Sequence, residues 1–444
     1  MRARTLLGVA LLGALVARAV ALGDPLAADE GYTWLVASSH SAGAFLDRLA
    51  AFENTPPLYY LLAWPLPDGE AWLRLPSLFA GVACVGALYA ALRPLAGTRA
   101  ALLAAAALAV APYAVSYSDF ARGFILADLG LVIALAGAAR RAWWVYAAGA
   151  AIALYAEYDS ALFLVALACA VAWSGIAPAR EALVRGLAPL LLLVPWIPEI
   201  VRGADADGLT KVAPVYPGPS PGSLRDLVVR LTFGEHGTAS AAGLRWLQFV
   251  VVVALLVVAA RALARPAFRL LAGTALGTLA LHAAAHAAGS DIFAPRYLTG
   301  LIPLAAAALG IWVAGLRMRA AVPLAVAAIA LLEVAVVVQR SGRQTEPDVA
   351  ALARFVAPGA RGQVVLTNSA VVAFYLRRLH PRLDRPFGLG PGLEARCARP
   401  CHVPFLVVDD SRVAGGARPG PGPAIGFGPI QVRLAGASTR IPGR

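Results

Sequence analysis

The sequence predicts a mainly α-helical protein that crosses a membrane many times and carries a small α/β domain at its C-terminal end. Three observations predict this fold class. Hydrophobic residues make up 60% of the 444 positions and charged residues only 14%. Apolar runs near the length of a transmembrane helix recur along most of the chain. Arginines and carboxylates occupy different connections between those runs.

About eleven apolar segments have the composition of membrane-spanning helices, since about 20 helical residues cross the hydrocarbon core. The first also has the basic start and apolar middle of a signal peptide, which is the alternative for that segment. A shorter apolar stretch, 56–66, has prolines near both ends and favours a re-entrant or interfacial segment. The predicted spans are 5–22, 72–92, 100–115, 121–139, 143–156, 160–175, 183–197, 246–264, 268–288, 296–316 and 319–338.

Arginines mark one side of the predicted membrane domain. Thirteen arginines near the ends of the spans fall on the same side if the N-terminus is cytoplasmic, as the positive-inside rule requires. The same rule accounts for the net charge of +13, so this charge does not indicate a nucleic-acid partner. These arginines are Arg2, Arg4, Arg93, Arg99, Arg140, Arg141, Arg180, Arg185, Arg261, Arg265, Arg269, Arg317 and Arg319.

Carboxylates collect on the opposite side. An active site at a membrane surface needs such a convergence of charged groups, so we expect a multi-pass protein of the cell membrane with its active site on the extracytoplasmic face. The lipid bilayer is then an obligatory partner. The carboxylates are Asp29, Glu30, Asp119, Glu157, Asp159, Glu199 and Asp291.

The chain changes character near residue 341, which predicts a transmembrane domain over 1–340 and an extracytoplasmic α/β domain over 341–444. In the second domain "GQVVLTNS" and "VPFLVVDD" predict strands, and "AVVAFYLRRL" predicts a helix. The Gly/Pro-rich segment 415–430 is expected to be loose. Cys397 and Cys401 fit a disulfide outside the cytoplasm, whereas a metal site would need further ligands that are not evident.

Five segments, in chain order, carry a family resemblance: "LAADEGYTW", "ENTPPLYYLL", "WLRLPSLFAGV", "SYSDFARGF" and "APRYLTGLIPL". Together they resemble the GT-C superfamily of membrane glycosyltransferases, and within it the dolichyl-phosphate-mannose protein mannosyltransferase-like (family 39) branch. The matched segments lie across about residues 26–310. The resemblance implies transfer of a hexosyl or pentosyl group from a polyprenyl-phosphate-linked donor to a protein, lipid or glycan acceptor of the cell envelope, without a metal or other cofactor.

The resemblance implies that the catalytic base is the acid in the first outer loop, which is Asp29 with Glu30 beside it. An acceptor hydroxyl must lose a proton as it attacks the anomeric carbon, and one positioned carboxylate suffices. The leaving phosphate needs no obligatory acid partner, unlike hydrolysis by a carboxylate pair. A single displacement inverts the anomeric centre. A solvated loop pair, or two acids at a helix start, is the alternative for these residues.

The leaving phosphate requires positive charge, and two arginines begin apolar spans on the expected outer face. Arg296 lies in the family's "PRY" motif with Tyr297, and Arg122 lies in "DFARGF". Arginine binds phosphate bidentately, and a helix N-terminus adds a favourable dipole. An interfacial arginine that extends its charge into water is the alternative for each.

The sequence departs from the family in two motifs. Phe120 stands where relatives have an acid, and Asp119 precedes it by one position as the candidate replacement. Thr55 stands where many relatives have a histidine before the paired prolines. Glu157 and Asp159 lie in a short outer turn and are expected either to contact the sugar or to cap helices.

Asp128 lies inside a predicted span, where a carboxylate is costly and is a site candidate for that reason. A hydrogen bond to a neighbouring helix is the alternative. His282 and His286 share a helical face at a spacing that can hold a metal. Interfacial histidines are commoner, and the resembling branch works without a metal, so we predict no metal site.

Two further functions remain open. A secondary transporter or lipid flippase fits the number of spans, although no internal repeat of the kind transporters show is visible. A non-catalytic assembly subunit fits the altered "DFARGF" motif. No Walker or Rossmann fingerprint occurs, which is consistent with a lipid-linked donor in place of a sugar nucleotide.

Overall fold

The computed structural model describes residues 2–53, 55–201, 219–237, 245–246, 248–250, 253, 265–289, 292–315, 365–367, 374, 401–402, 405–409, 424–427, 430–434 and 440–441. In these residues the chain is mainly helical, which confirms that part of the predicted fold class. The α-helices are α1 (Arg2–Ala19), α2 (Ala28–Ala37), α3 (Ala42–Phe52), α4 (Leu58–Ala63), α5 (Glu70–Ala109), α6 (Pro112–Ser118), α7 (Phe124–Arg140), α8 (Trp143–Ala156), α9 (Ser160–Ser174), α10 (Ala179–Leu187), α11 (Pro221–Gly237), α12 (Pro266–Ala287) and α13 (Leu301–Gly315).

Several helices have the character of membrane spans. Within the described ranges, three helical segments are long and apolar enough to cross a membrane: Glu70–Ala109, Ala179–Val201 and Pro266–Ala287. Shorter apolar helices are α8, α9 and α13. The protein is therefore a membrane protein. The total of about eleven spans stays a prediction, because 246–264 lies largely, and 319–338 entirely, outside the described residues.

Helix α5 covers the predicted span 72–92 and most of the predicted span 100–115. The two parts meet at Gly97, whose backbone has φ 83° and ψ 169° and interrupts the helical geometry. Residues with a side chain rarely adopt positive φ, and glycine does so at no steric cost. Gly97 thus separates two helices within this segment, which agrees with the predicted boundary between the two spans.

Helix α1 packs into the bundle through an arginine that the sequence analysis did not single out. Arg18 is fully buried, and its Nη1 and Nη2 donate to the carbonyls of Ala109 at 2.6 Å and Leu108 at 3.1 Å. A cation near a helix C-terminus interacts favourably with the helix dipole, so Arg18 holds α1 against the end of α5. This packing favours the membrane-helix interpretation of the first segment over the signal peptide.

Helices α7 and α8 form a close antiparallel pair that positions the loops of the site. A Cβ on Gly130 would lie 2.5 Å from the backbone N of Ala153, and one on Gly149 would lie 2.4 Å from the backbone N of Ala134. Small residues let membrane helices approach each other this closely. The tight pair places the loop before α7 and the loop after α8 at the same end of the bundle.

The C-terminal region contains described strands in two sheets. In the first, β1 (Val365–Thr367) pairs in parallel with β3 (Phe405–Asp409), and β5 (Ile430–Leu434) pairs antiparallel with both β3 and β4 (Ala424–Phe427). In the second, β2 (Cys401–His402) pairs antiparallel with β6 (Arg440–Ile441).

These strands test part of the prediction for the C-terminal region, residues 341–444. Strands β1 and β3 confirm the two predicted strands. The expectation of a loose segment at 415–430 was wrong in its last part, because β4 pairs with β5 across a two-residue connection and its backbone groups are hydrogen-bonded there. The α/β class and the boundary at 341 stay predictions. Cys397 lies outside the described residues, so the disulfide stays a prediction as well.

Candidate active site

The candidate site begins at the first turn of α2, which contains both Asp29 and Glu30. The Glu30 side chain accepts a hydrogen bond from the backbone N of Ala27 at 2.8 Å, which satisfies one of the free donors at the helix start. Carboxylates are also favourable here because of the helix dipole. The two side chains then diverge. Glu30 is fully buried, whereas the Asp29 side chain is 42% exposed.

Glu30 is held by a buried arginine from α5. Arg74 Nε donates to Glu30 Oε1 at 2.7 Å, and Arg74 Nη2 donates to Glu30 Oε2 at 2.6 Å. The backbone N of Ala121 donates to Oε1 at 2.7 Å. Both oxygens of Glu30 are therefore occupied by charge-assisted or backbone hydrogen bonds. Glu30 thus faces the protein interior, and its catalytic role beside Asp29 stays a prediction that this burial does not support.

Arg74 also fixes the chain that enters α2. Its Nη1 donates to the carbonyls of Ala21, Leu22 and Asp24 at 3.1, 3.1 and 2.7 Å, and its Nη2 donates to the carbonyl of Pro25 at 3.0 Å. One guanidinium thus joins α5 to the segment between α1 and α2. The sequence analysis missed Arg74 because nothing in the local pattern of "WLRLPSLF" distinguishes it from other interfacial arginines.

Asp29 faces an arginine that lies far away in the sequence. Arg296 belongs to a 3-10 turn, Pro295–Leu298, which precedes α13. Its Nη1 lies 3.8 Å from Asp29 Oδ2, and the two side chains are 34% and 42% exposed. The guanidinium also lies over the ring of Tyr297, 4.8 Å from its centroid. The residues expected to act as base and phosphate ligand are therefore neighbours at a solvent-accessible position.

Arg122 lies in the loop between α6 and α7, and the carboxylate of Glu53 binds one side of its guanidinium. Its Nη1 forms a salt bridge with Glu53 and donates to the hydroxyl of Tyr60 at 2.9 Å. Tyr60 shares a 2.6 Å hydrogen bond with Thr55. Burial opposes ionisation of Arg122, but the charge of Glu53, with a smaller contribution from Asp29, raises its pKa well above the usual value. The guanidinium is thus held in place and remains charged.

Asp119, the candidate replacement for the family's acid, lies elsewhere in the same loop. Asp119 is buried, and its negative charge acts on Arg74, the arginine of α5 that binds Glu30. It does not line the pocket described below. Its predicted contact with substrate therefore has no support from this geometry.

A polar pocket lies beside Arg296, between α7, the loop joining α8 to α9, α12 and the turn before α13. It encloses about 320 Å³ of space between atoms, part of which is open to solvent. Asp159 and Tyr297, both expected at the substrate, line this pocket. Its other polar lining residues include Asp128, Glu157, Thr278, His282, Arg296 and Thr299.

Polar atoms in this pocket lack partners within the described part of the chain. Asp128 accepts a hydrogen bond from Thr299 at 2.9 Å through Oδ1, while its Oδ2 has none. His282 Nδ1 lies 2.9 Å from the carbonyl of Thr278, and its Nε2 lies 3.7 Å from Asp159 Oδ2. Asp128 thus bonds to a neighbouring element and also lines the pocket, and its role as a site residue stays a prediction. Such groups are suited to binding the hydroxyls of a ligand.

The prediction for His282 and His286 is tested only in part, because Asp291 lies outside the described residues. No group of three or more His, Cys, Asp or Glu side chains that could hold a metal ion is present among the described residues. His282 faces the pocket, whereas the ring of His286 lies 6.4 Å from that of Phe293.

Ionisation in the pocket depends on burial. Burial, and next the charge of Asp159, raise the pKa of Glu157 well above its usual range, although Arg122 and Arg296 oppose this. Burial likewise raises the pKa of Tyr297 to about 12, so the phenol is neutral at ordinary pH. The sequence analysis gave Glu157 the same two possible roles as Asp159, contact with the sugar or capping of a helix. Its burial in the pocket depends on packing that sequence does not reveal.

No protein-family profile and no curated protein sequence matches the chain. The fold is nevertheless similar to that of solved structures of one membrane protein, and this likeness supports the predicted resemblance at the level of fold alone. The chain is similar to ArnT from Cupriavidus metallidurans bound to undecaprenyl phosphate, with a TM-score of 0.56 and 15% identity over 92% of this chain and 93% of that one. It is also similar to the apo state of the same protein, with a TM-score of 0.60 and 16% identity over 92% of both chains.

Proposed function

We propose that this protein is a membrane glycosyltransferase that moves a sugar from a polyprenyl-phosphate donor to an acceptor hydroxyl at the extracytoplasmic face. The observation that carries the proposal is the 3.8 Å approach of Asp29 to Arg296 at a polar pocket, in a fold similar to that of ArnT bound to undecaprenyl phosphate. The acceptor is a protein, lipid or glycan of the cell envelope.

Arg296 binds the donor phosphate in this proposal. Its guanidinium carries several N–H donors in a planar fork that suits phosphate oxygens. Arg122 supports it from the loop before α7, because only its Nη1 is engaged by Glu53 and Tyr60 among the described residues. The phosphate therefore meets positive charge from two separate elements, and this charge stabilises the phosphate as it leaves.

Asp29 serves as the general base. Its side chain is 42% exposed, so an acceptor hydroxyl can reach it from solvent. The acceptor oxygen forms a bond to the anomeric carbon while its proton passes to Asp29. The bond from that carbon to the phosphate oxygen breaks, and its electron pair stays on the phosphate. One displacement of this kind inverts the anomeric carbon.

Glu30 and Arg74 position the base in this mechanism. Their ion pair joins the first turn of α2 to α5, and Asp29 is the preceding residue of that same turn. A base must be held within hydrogen-bonding reach of the proton it removes, so a rigid first turn favours catalysis.

The polar pocket holds the sugar ring. Asp128, Asp159, Thr278 and His282 supply acceptors and donors for sugar hydroxyls beside Arg296. Phe124 and Phe163 add apolar walls for the faces of the ring. This lining does not distinguish mannose from other hexoses or from pentoses.

The base assignment is tested with the variant Asp29→Asn and a radiolabelled polyprenyl-phosphate sugar. We expect transfer to fall by about 100-fold or more, the usual contribution of general base catalysis. The unfolding temperature should not fall, because Asp29 is partly exposed. Full transfer by Asp29→Asn would remove Asp29 as the base. Ion-coupled uptake of a solute, with no transfer by the unaltered protein, would instead favour the transporter alternative.

A further inference from the structure

Glu157 occupies a position in the pocket that the mechanism above does not use. It follows the end of α8, is 4% exposed, and lines the same pocket as Arg296. Gly123, at the start of α7, lies opposite the Glu157 side chain. A Cβ there would lie 2.9 Å from Glu157 Oε1 and 2.4 Å from the carbonyl O of Ala156. The missing side chain at Gly123 therefore leaves room for the Glu157 carboxyl beside the loop that carries Arg122.

Charged and titratable groups on several elements act on Glu157 or line its pocket, and Asp128 of α7 and His282 of α12 are among them. Asp159 lies on its own loop, Arg122 on the loop before α7, and Arg296 on the turn before α13, where Tyr297 is also a neighbour. Glu53, the partner of Arg122, acts on it too. In the described part of the chain the Glu157 side chain forms no salt bridge and no side-chain hydrogen bond, unlike Glu30 and Glu53.

We propose that Glu157 is a further catalytic residue, whose neutral carboxyl donates its O–H to a phosphate oxygen of the lipid-linked donor beside the two arginines. This inference rests on the function proposed above. It assigns to the phosphate a third contact that carries no charge of its own.

Charge balance explains why the neutral form is required. Two arginines, Arg122 and Arg296, already face the carboxylates Asp29, Glu53 and Asp159. A further negative charge on Glu157 would repel the incoming phosphate. Burial, followed by the charge of Asp159, raises the pKa of Glu157 and so favours the protonated form.

The step is balanced without any additional reactant. The acceptor oxygen bonds to the anomeric carbon and its proton passes to Asp29. The bond to the phosphate oxygen breaks, and the electron pair remains on the phosphate. The hydrogen bond from Glu157 strengthens as that charge develops, because a donor aimed at developing charge stabilises the transition state more than the ground state. The proton stays on Glu157 throughout.

The test measures binding of the methyl diester of undecaprenyl phosphate to the full-length protein in detergent, as a function of pH. A diester is used because a phosphate monoester gains a second charge near about pH 6, which would mask the titration of the protein. For the unaltered protein we expect affinity to fall by about tenfold as pH rises through the pKa of Glu157, because the carboxylate then repels the diester.

Three variants separate the proposal from its alternatives. Glu157→Gln keeps a neutral N–H donor, so we expect affinity like that of the unaltered protein at low pH and no loss on raising the pH. Glu157→Asp retains a titrating acid and should keep the pH-dependent loss. Glu181→Gln, which alters a carboxylate paired with Arg141 outside the pocket, should behave like the unaltered protein throughout. Thermal unfolding of each variant shows that it is folded.

Two results would overturn the inference in distinguishable ways. If the unaltered protein binds the diester equally at all pH values, or if Glu157→Gln binds it about tenfold more weakly at low pH, Glu157 does not act as a neutral donor, and the proposed function stands. If the unaltered protein binds neither the diester nor undecaprenyl phosphate at any pH, the proposed function and the inference fail together.

Discussion

Glu30 and Arg74 form a bidentate ion pair between the first turn of α2 and helix α5, with side chains that are 0% and 4% exposed. The neighbouring carboxylate, Asp29, points instead towards Arg296 at a half-exposed position. Two adjacent acids thus have separate tasks. One connects the candidate active site to the helical bundle, and the other is left accessible for chemistry.

Removal of Arg74 is expected to destabilise the protein strongly. Arg74→Ala leaves Glu30 as a buried charge without its cation, and breaking a buried ion pair in this way typically costs about 3–5 kcal/mol. Arg185→Ala is the matched control, since its side chain is 58% exposed and its pair with Glu181 contributes about 0.5 kcal/mol or less. Chemical unfolding in detergent measures both. Equal stability of the two variants would contradict the role of Arg74.

Loss of the Arg296 guanidinium is expected to weaken donor binding without unfolding the protein. The side chain is 34% exposed and its pair with Asp29 is 3.8 Å long, so Arg296→Gln should change stability by about 1 kcal/mol or less. The affinity for undecaprenyl phosphate should fall by about tenfold or more, because charged hydrogen bonds contribute about 1.5–3 kcal/mol each. Calorimetry or ligand-dependent thermal shift measures the change. Unchanged affinity would place the phosphate elsewhere.

We expect Phe374 to stabilise the packing of the C-terminal region against α2, the helix that contains Asp29. Its ring packs edge-on against Trp34 of α2 with centroids 5.5 Å apart, and both residues are 3% exposed. Phe374→Ala should destabilise the protein by about 3–5 kcal/mol, the usual cost of removing a buried phenylalanine. Phe79→Ala, at a position that is 61% exposed, is the control and should cost much less. Thermal unfolding compares the two, and similar values would argue against this packing.

The titration of Glu157 predicts a loss of stability as pH rises. Its pKa is raised in the folded protein by burial and by Asp159, so the folded state retains a proton that the unfolded state has released. The stability from this group is fully present below the pKa of the unfolded chain and is lost as pH rises through the folded pKa. Glu157→Gln should flatten this part of a plot of unfolding free energy against pH. An unchanged slope would show that Glu157 is ionised in the fold.

Much of the candidate site follows from the sequence because short motifs place residues at membrane boundaries. Such motifs identified Asp29 and Glu30, which follow the first apolar segment, and Arg296, which begins the span that contains α13. In the structure Asp29 and Arg296 lie 3.8 Å apart. The sequence analysis did not identify the partners of Arg122, and it did not identify Arg18 and Arg74 as buried arginines. Their roles depend on contacts between segments that lie far apart in the chain, and no local pattern records those contacts.

The sequence by itself determined the helical membrane character, the placement of acids and arginines at opposite ends of the apolar segments, and the motif that contains Asp29 and Glu30. Only the tertiary structure decided which of the two acids is accessible. Successive residues on a helix point about 100° apart, so Asp29 is partly exposed to solvent while Glu30 faces the core. The position of Arg74 on α5 made Glu30 the buried acid, and the turn before α13 brought Arg296 to Asp29.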